Sequence, residues 1–226
     1  MSGIELRSVT KVYGTGAAAY QALRGLDFTA RPGEFVMLSG PSGSGKTTLL
    51  SIIGCVLSPT TGSVHLFGED VSRRKESELP ALRLSYIGFV FQGHKLLASL
   101  TARENIALPL ELRGWSAREA RTEAERLLAR VGLGHRLEHR PADLSGGERQ
   151  RVAIGRALAG SPPLILADEP TAALDATNGR NVTDLLRMLA KEHGHTVVVV
   201  THDNRITSLA DRVVHIEDGI IGELAA

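Results

Sequence analysis

The chain has 226 residues, 42% hydrophobic and 23% charged, enough for one α/β domain with a full core and a smaller attached lobe. A formal net charge of +1 gives no electrostatic support for broad nucleic-acid binding, and a single cysteine, Cys55, excludes an intrachain disulfide. Aromatic residues are only 4%, so the core must be mostly aliphatic. Near-alternating apolar residues predict strands over 4–12 and 25–30, and a short apolar run predicts one over 35–39. A Gly-rich segment follows, then a helix over 47–56, then strands over 63–67 and 87–91. Cys55 lies in the apolar part of that helix and reads as a buried, inert thiol. The uncharged stretch 47–68 is cut by the turn cluster 58–63, so it reads as helix, turn and strand rather than a membrane span. Residues 1–11 lack the apolar segment of a signal peptide.

The middle of the chain changes character. Thr101 with Glu104, and Ser116 with Glu119, form capping boxes that open helices. In the second helix Ala120, Ala124, Leu127, Leu128 and Val131 share one face, and Gly132 stops it. Residues 93–160 therefore read as a helical lobe inserted into the α/β domain. Strands return over 164–167 and 196–201 with a helix over 178–192 between them, and strands over 212–216 and 220–224 close the chain.

Three segments carry chemistry. Gly40-Pro41-Ser42-Gly43-Ser44-Gly45-Lys46-Thr47 fits the phosphate-loop pattern G-x-x-x-x-G-K-[ST], with an apolar strand before it and a helix after it. Its glycines let backbone N–H groups approach phosphate oxygens, and the helix start adds a positive dipole end. Lys46 can reach the β- and γ-phosphates and the Thr47 hydroxyl can ligate Mg2+. The apolar strand over 164–167 ends in Asp168 and Glu169, at the sheet edge where α/β folds bind ligands. Asp168 can hold Mg2+ through water, and Glu169 can polarise an attacking water as general base. Leu144-Ser145-Gly146-Gly147-Glu148 is a second small-residue loop opening a helix, hence a second anion site.

In this order, over essentially the whole chain, these segments resemble an ABC-type ATPase. The resemblance implies a P-loop NTPase of the α/β class with a mostly parallel core sheet, an N-terminal antiparallel β subdomain and an inserted α-helical subdomain. The whole is one domain, with a core over about 1–92 and 161–226 and the helical part over about 93–160. It implies that Tyr13 stacks on adenine and that Thr48 joins the loop in contacting ATP. It implies that Gln92 touches Mg2+ and senses a membrane partner, and that Asp168 and Glu169 are the Walker B pair. Leu174-Asp175 matches the segment that communicates across a dimer, and His202 matches the histidine that contacts the γ-phosphate. Leu144, Ser145, Gly146, Gly147 and Glu148 are expected to meet ATP bound to a second copy, because one chain holds its two phosphate loops in different lobes. The implied cofactor is Mg2+ with ATP, its ligands Thr47, Gln92 and Asp168. The implied partners are ATP, a second copy and an integral membrane permease, at the cytoplasmic side of the inner membrane, with no direct nucleic-acid contact. His94, His135, His139, His193, His195 and His215 carry no motif and receive no role.

The interval from Gln92 to Leu144 is short, without heptads or cysteine pairs, which favours a transporter subunit over the DNA-repair members of the family. Phe91-Gln92-Gly93-His94-Lys95-Leu96-Leu97 followed by Leu100-Thr101-Ala102-Arg103-Glu104-Asn105-Ile106 is similar to the group of macrolide-type exporters and lipoprotein-releasing complexes. Lys95 departs from that group, where a smaller polar residue or histidine is common. The division-associated ATPase of the same group, which signals through a membrane partner without transporting, remains an alternative.

Overall fold

The computed structural model describes residues 3–172, 174–203 and 207–222. Two sheets and a helical lobe make up the fold. The first sheet is antiparallel, in the order β2-β1-β4-β5: β1 is Ile4–Tyr13, β2 Tyr20–Ala30, β4 Thr61–Leu66 and β5 Glu69–Asp70. The second is the core sheet, in the order β10-β9-β3-β8-β7-β6: β3 is Phe35–Ser39, β6 Ile87–Val90, β7 Leu164–Asp168, β8 Thr196–Val200, β9 Arg212–Glu217 and β10 Ile220–Gly222. Its pairings are parallel except for β10 on β9.

The core strands are apolar on both faces, as parallel strands covered from two sides must be. Phe35, Met37, Ile165, Ala167, Val197 and Val199 face a cluster shared with the helices α3 (Ala102–Leu112), α4 (Ala117–Arg130), α5 (Gly146–Ala157) and α6 (Ala176–Lys191). Val36, Leu38, Leu164, Leu166, Val198 and Val200 face a second cluster built with α1 (Lys46–Ile53) and the antiparallel sheet. Each fully buried Val, Leu or Ile is worth about 1.5–3 kcal/mol relative to exposure.

Both expected capping boxes form: Thr101 and Ser116 accept from the N–H groups of Glu104 and Glu119, whose carboxylates return to the cap N–H groups. The predicted apolar face of α4 is buried, and Gly132 follows it in a left-handed conformation at φ 75°.

Three differences have local causes. β2 begins at Tyr20, five residues before the expected start, because Gly25 (φ 80°) sits inside the strand, whose ladder with β1 absorbs register shifts, rather than ending it. α1 ends at Ile53 rather than residue 56. Cys55 adopts φ 52° and Val56 donates back to the Ser51 carbonyl at 2.9 Å, a helix stop built without glycine at the left-handed position. The helix α2 (Leu79–Tyr86) has no counterpart in the sequence reading; it is short and buries only Leu79, so no apolar stripe marks it. The expected end of the last strand, residues 223 and 224, lies outside the described residues.

Candidate functional site

The phosphate loop connects β3 to α1 and is shaped by two glycines. Gly40 has φ 136°, and a Cβ there would lie 1.9 Å from the Ile216 carbonyl oxygen of β9; Gly45 has φ 102°, and its Cβ would lie 2.6 Å from the Ala22 oxygen of β2. Only glycine permits both the conformation and the approach. Lys46 Nζ donates to Gly40 O at 2.8 Å and Pro41 O at 2.6 Å, so the loop wraps around its own ammonium. Burial lowers the Lys46 pKa, against the raising effect of Glu169 and Asp168. Ser44 is buried, its N–H donating to Pro41 O at 3.3 Å, while Pro41, Ser42 and Gly43 are exposed. On the outer side Tyr13 OH lies 3.4 Å from Thr48 Oγ1, and Lys11 Nζ stands 5.4 Å from the Tyr13 ring centroid.

β7 delivers the two acids. Burial first, and then the charge of Glu169, raise the Asp168 pKa, against smaller lowering effects of Lys46 and the nearby Thr47 side chain. Glu169 leaves the strand at φ 47°, its N–H held by Val200 O at 2.8 Å, and this turn sets its carboxylate beside the exit of β8. There His202 Nε2 lies 3.6 Å from Glu169 Oε1. A cavity of about 550 Å3 brings Ser42, Gln92, Glu169 and His202 to one space. Thr171 and Asp203 line the same cavity and join the two strand exits, Thr171 Oγ1 donating to Asp203 Oδ2 at 2.9 Å.

Gln92 is exposed beyond the end of β6. The three residues after it, Gly93, His94 and Lys95, all adopt left-handed conformations, and Arg156 of α5 clamps the turn through His94 O at 2.9 Å and Lys95 O at 2.6 Å. The half-buried His94 ring sits near the backbone of Gly93 and Gly146, and burial first, then Arg149, lower its pKa. Arg156 thus ties the turn after Gln92 to α5. Sequence reading gave His94 and Arg156 no such part, since neither link is visible as a local pattern.

The small-residue loop is a third capping box. Ser145 caps α5, its hydroxyl accepting from Glu148 N at 3.2 Å, and Glu148 accepts from Ser145 N at 2.8 Å and from Arg136 Nε at 3.0 Å. Those bonds, the Ser145 backbone bond foremost, lower the Glu148 pKa. Leu144 is buried beneath the turn and Gly146 is half-buried. Asp175 caps α6, accepting from Asn178 N at 2.9 Å, and Asn178 covers Gly147. Among the described residues no hydrogen bond or ion pair joins Ser145, Gly146 or Gly147 to the phosphate loop of the same chain.

The profile of the ABC transporter family matches residues 23–172. The chain belongs to the ABC transporter ATP-binding family. As an ABC ATPase it is similar to the lipoprotein-releasing system ATP-binding protein LolD of Shewanella frigidimarina, 47% identical over 99% of this chain and 93% of that protein. It is also 47% identical to the macrolide export ATP-binding/permease protein MacB of Marinobacter nauticus, over 97% of this chain but only 34% of that longer protein. Among solved structures, the ATP-binding cassette MJ0796, in a dimeric post-hydrolysis state with ADP and Pi, superimposes with a TM-score of 0.90 at 43% identity, covering 97% of both chains. Among the described residues of this ABC ATPase, no helix is long and apolar enough to cross a membrane.

Proposed function

We propose that this ABC ATPase hydrolyses ATP in sites shared by two copies of the chain and drives export or extraction of cargo by a membrane permease at the cytoplasmic side of the inner membrane. The observation that carries the reading is the meeting of Glu169 and His202 beside the phosphate loop, with Ser145-Gly146-Gly147 held in a different lobe of the same chain. Lys46 and the backbone of residues 40–47 bind the phosphates, Thr48 lines the same loop, and Tyr13 offers its ring to adenine. Glu169 takes the proton of the attacking water, and His202 contacts the γ-phosphate from the next strand exit. The N-terminus of α5 then meets the triphosphate of the partner copy, Glu148 acting by holding Ser145 in place, and Leu144 by anchoring the turn. Asp175, at the start of α6 beside Gly147, passes the state of one site to the other.

Thr47, Gln92 and Asp168 offer an all-oxygen donor set of the kind Mg2+ takes when substrate phosphates supply its remaining ligands, and Thr47 stands near enough to Asp168 to lower its pKa. Mg2+ would neutralise phosphate charge there. Residues 93–160 serve as the helical subdomain that carries α5 and faces the permease. The likeness to the lipoprotein-releasing and macrolide-export proteins supports an export-type partner.

The test is Glu169→Gln with Mg2+ and ATP. The variant is expected to bind ATP, to form dimers on light scattering, and to lose turnover by about 100-fold or more. Brisk hydrolysis, or a species that stays monomeric with ATP beside its permease, overturns the reading.

A further inference from the structure

We infer that Tyr20 is a second aromatic contact for the nucleotide base, linked through its hydroxyl to the phosphate loop. The inference rests on the reading of Tyr13 as the adenine-facing ring. Tyr13 and Tyr20 are direct partners across the last rung of the β1–β2 ladder, so their side chains leave the same face of that sheet. Both hydroxyls reach the nucleotide-binding element, but at different points: Tyr13 OH lies 3.4 Å from Thr48 Oγ1 in α1, and Tyr20 OH donates to Gly43 O in the loop at 3.2 Å. Tyr13 and Tyr20 remain 38% and 55% exposed as residues, so neither side chain is covered by the rest of the fold. Lys11 occupies one side of Tyr13 at 5.4 Å from the ring centroid. The surface around Tyr20 is thus the natural continuation of the base platform.

Aromatic stacking on a base is sequence-tolerant and depends on ring area, so a second ring adds affinity for the base without adding contacts to phosphate. The hydroxyl bond has a separate effect. It ties the position of that ring to Gly43, so base binding and the shape of the phosphate loop favour one another.

The experiment is calorimetric titration of the full chain with ADP, and displacement of ADP by inorganic pyrophosphate, which has no base. Tyr20→Ala is expected to weaken ADP about 10-fold while pyrophosphate affinity changes less than about 2-fold. Tyr20→Phe, which keeps the ring, is expected to retain most ADP affinity. Equal weakening of ADP and pyrophosphate by Tyr20→Ala shows that the residue acts on the loop alone, and it overturns the base contact. Unchanged ADP affinity in Tyr20→Ala also overturns it. Tyr13→Ala separates the two readings: if it loses ADP affinity where Tyr20→Ala does not, the Tyr13 assignment survives and this inference fails. If neither changes ADP binding, both fail.

Discussion

Asn178 lies across the face of Gly147: a Cβ added to the glycine would stand 2.5 Å from Asn178 Oδ1. The same side chain donates to Asp175 Oδ2 at 2.6 Å, so the first turns of α5 and α6 are fitted to one another through a residue that neither motif names. Gly147→Ala should push Asn178 off Asp175 and cost about 1–3 kcal/mol in chemical denaturation. ADP affinity, which depends on the loop around Lys46, should stay the same, while ATP-driven pairing in a Glu169→Gln background should fall. A variant that pairs and unfolds like its parent would show that Asn178 gives way without consequence.

Asp168 gives a pH signature. Its folded pKa is raised above the ordinary aspartate value, chiefly by burial. A raised carboxyl favours the folded state below its unfolded pKa, and that contribution is lost as pH rises through the folded value. At neutral pH the chain therefore carries a partly buried charge at a cost. Asp168→Asn is expected to melt higher than the parent at pH 7, with the gap closing as the pH falls toward 4, and to lose Mg2+-dependent turnover. Equal melting temperatures across that range would contradict the direction of the shift.

Lys46→Ala should weaken ATP at least about 10-fold, the loss of a charged hydrogen bond to phosphate. Since burial already disfavours the ammonium, the folded chain should not become markedly less stable. Calorimetry paired with thermal melting separates the two effects. Unchanged ATP affinity would remove Lys46 from the site.

Cys55 is 2% exposed and its thiol is raised to about 11 by burial. At pH 8 about one thiol in a thousand is ionised, so iodoacetamide should label the native chain slowly and the unfolded chain quickly. Rapid native labelling, read by mass spectrometry, would mean that the end of α1 opens.

The strands of the core sheet, the phosphate loop and the capped helices are legible in the sequence because each rests on a local pattern: an apolar run, a glycine spacing, a Ser/Thr-x-x-Glu box. The strand-exit acids are legible for the same reason, since Asp168 and Glu169 follow directly on a buried strand. What is not legible depends on distant partners. The expected role of Glu148 as an ATP contact did not anticipate that Ser145 and Arg136 already hold its carboxylate. His94 carries no motif, and only the folded chain sets it between Gly93 and Gly146. Arg156 belongs to no motif, and its part depends on the distant turn at His94 and Lys95 that it holds. The early stop of α1 was hidden because a cysteine, not a glycine, takes the left-handed position.

Neighbouring residues of one strand look in opposite directions: Val198 belongs to the cluster under the antiparallel sheet, and Val199 to the cluster under the helices. Neither half of the molecule can come apart while keeping β8, or β3 and β7 beside it, intact. Heat or denaturant should therefore melt both halves in a single step, with the amide protons of these three strands the last to exchange with deuterium.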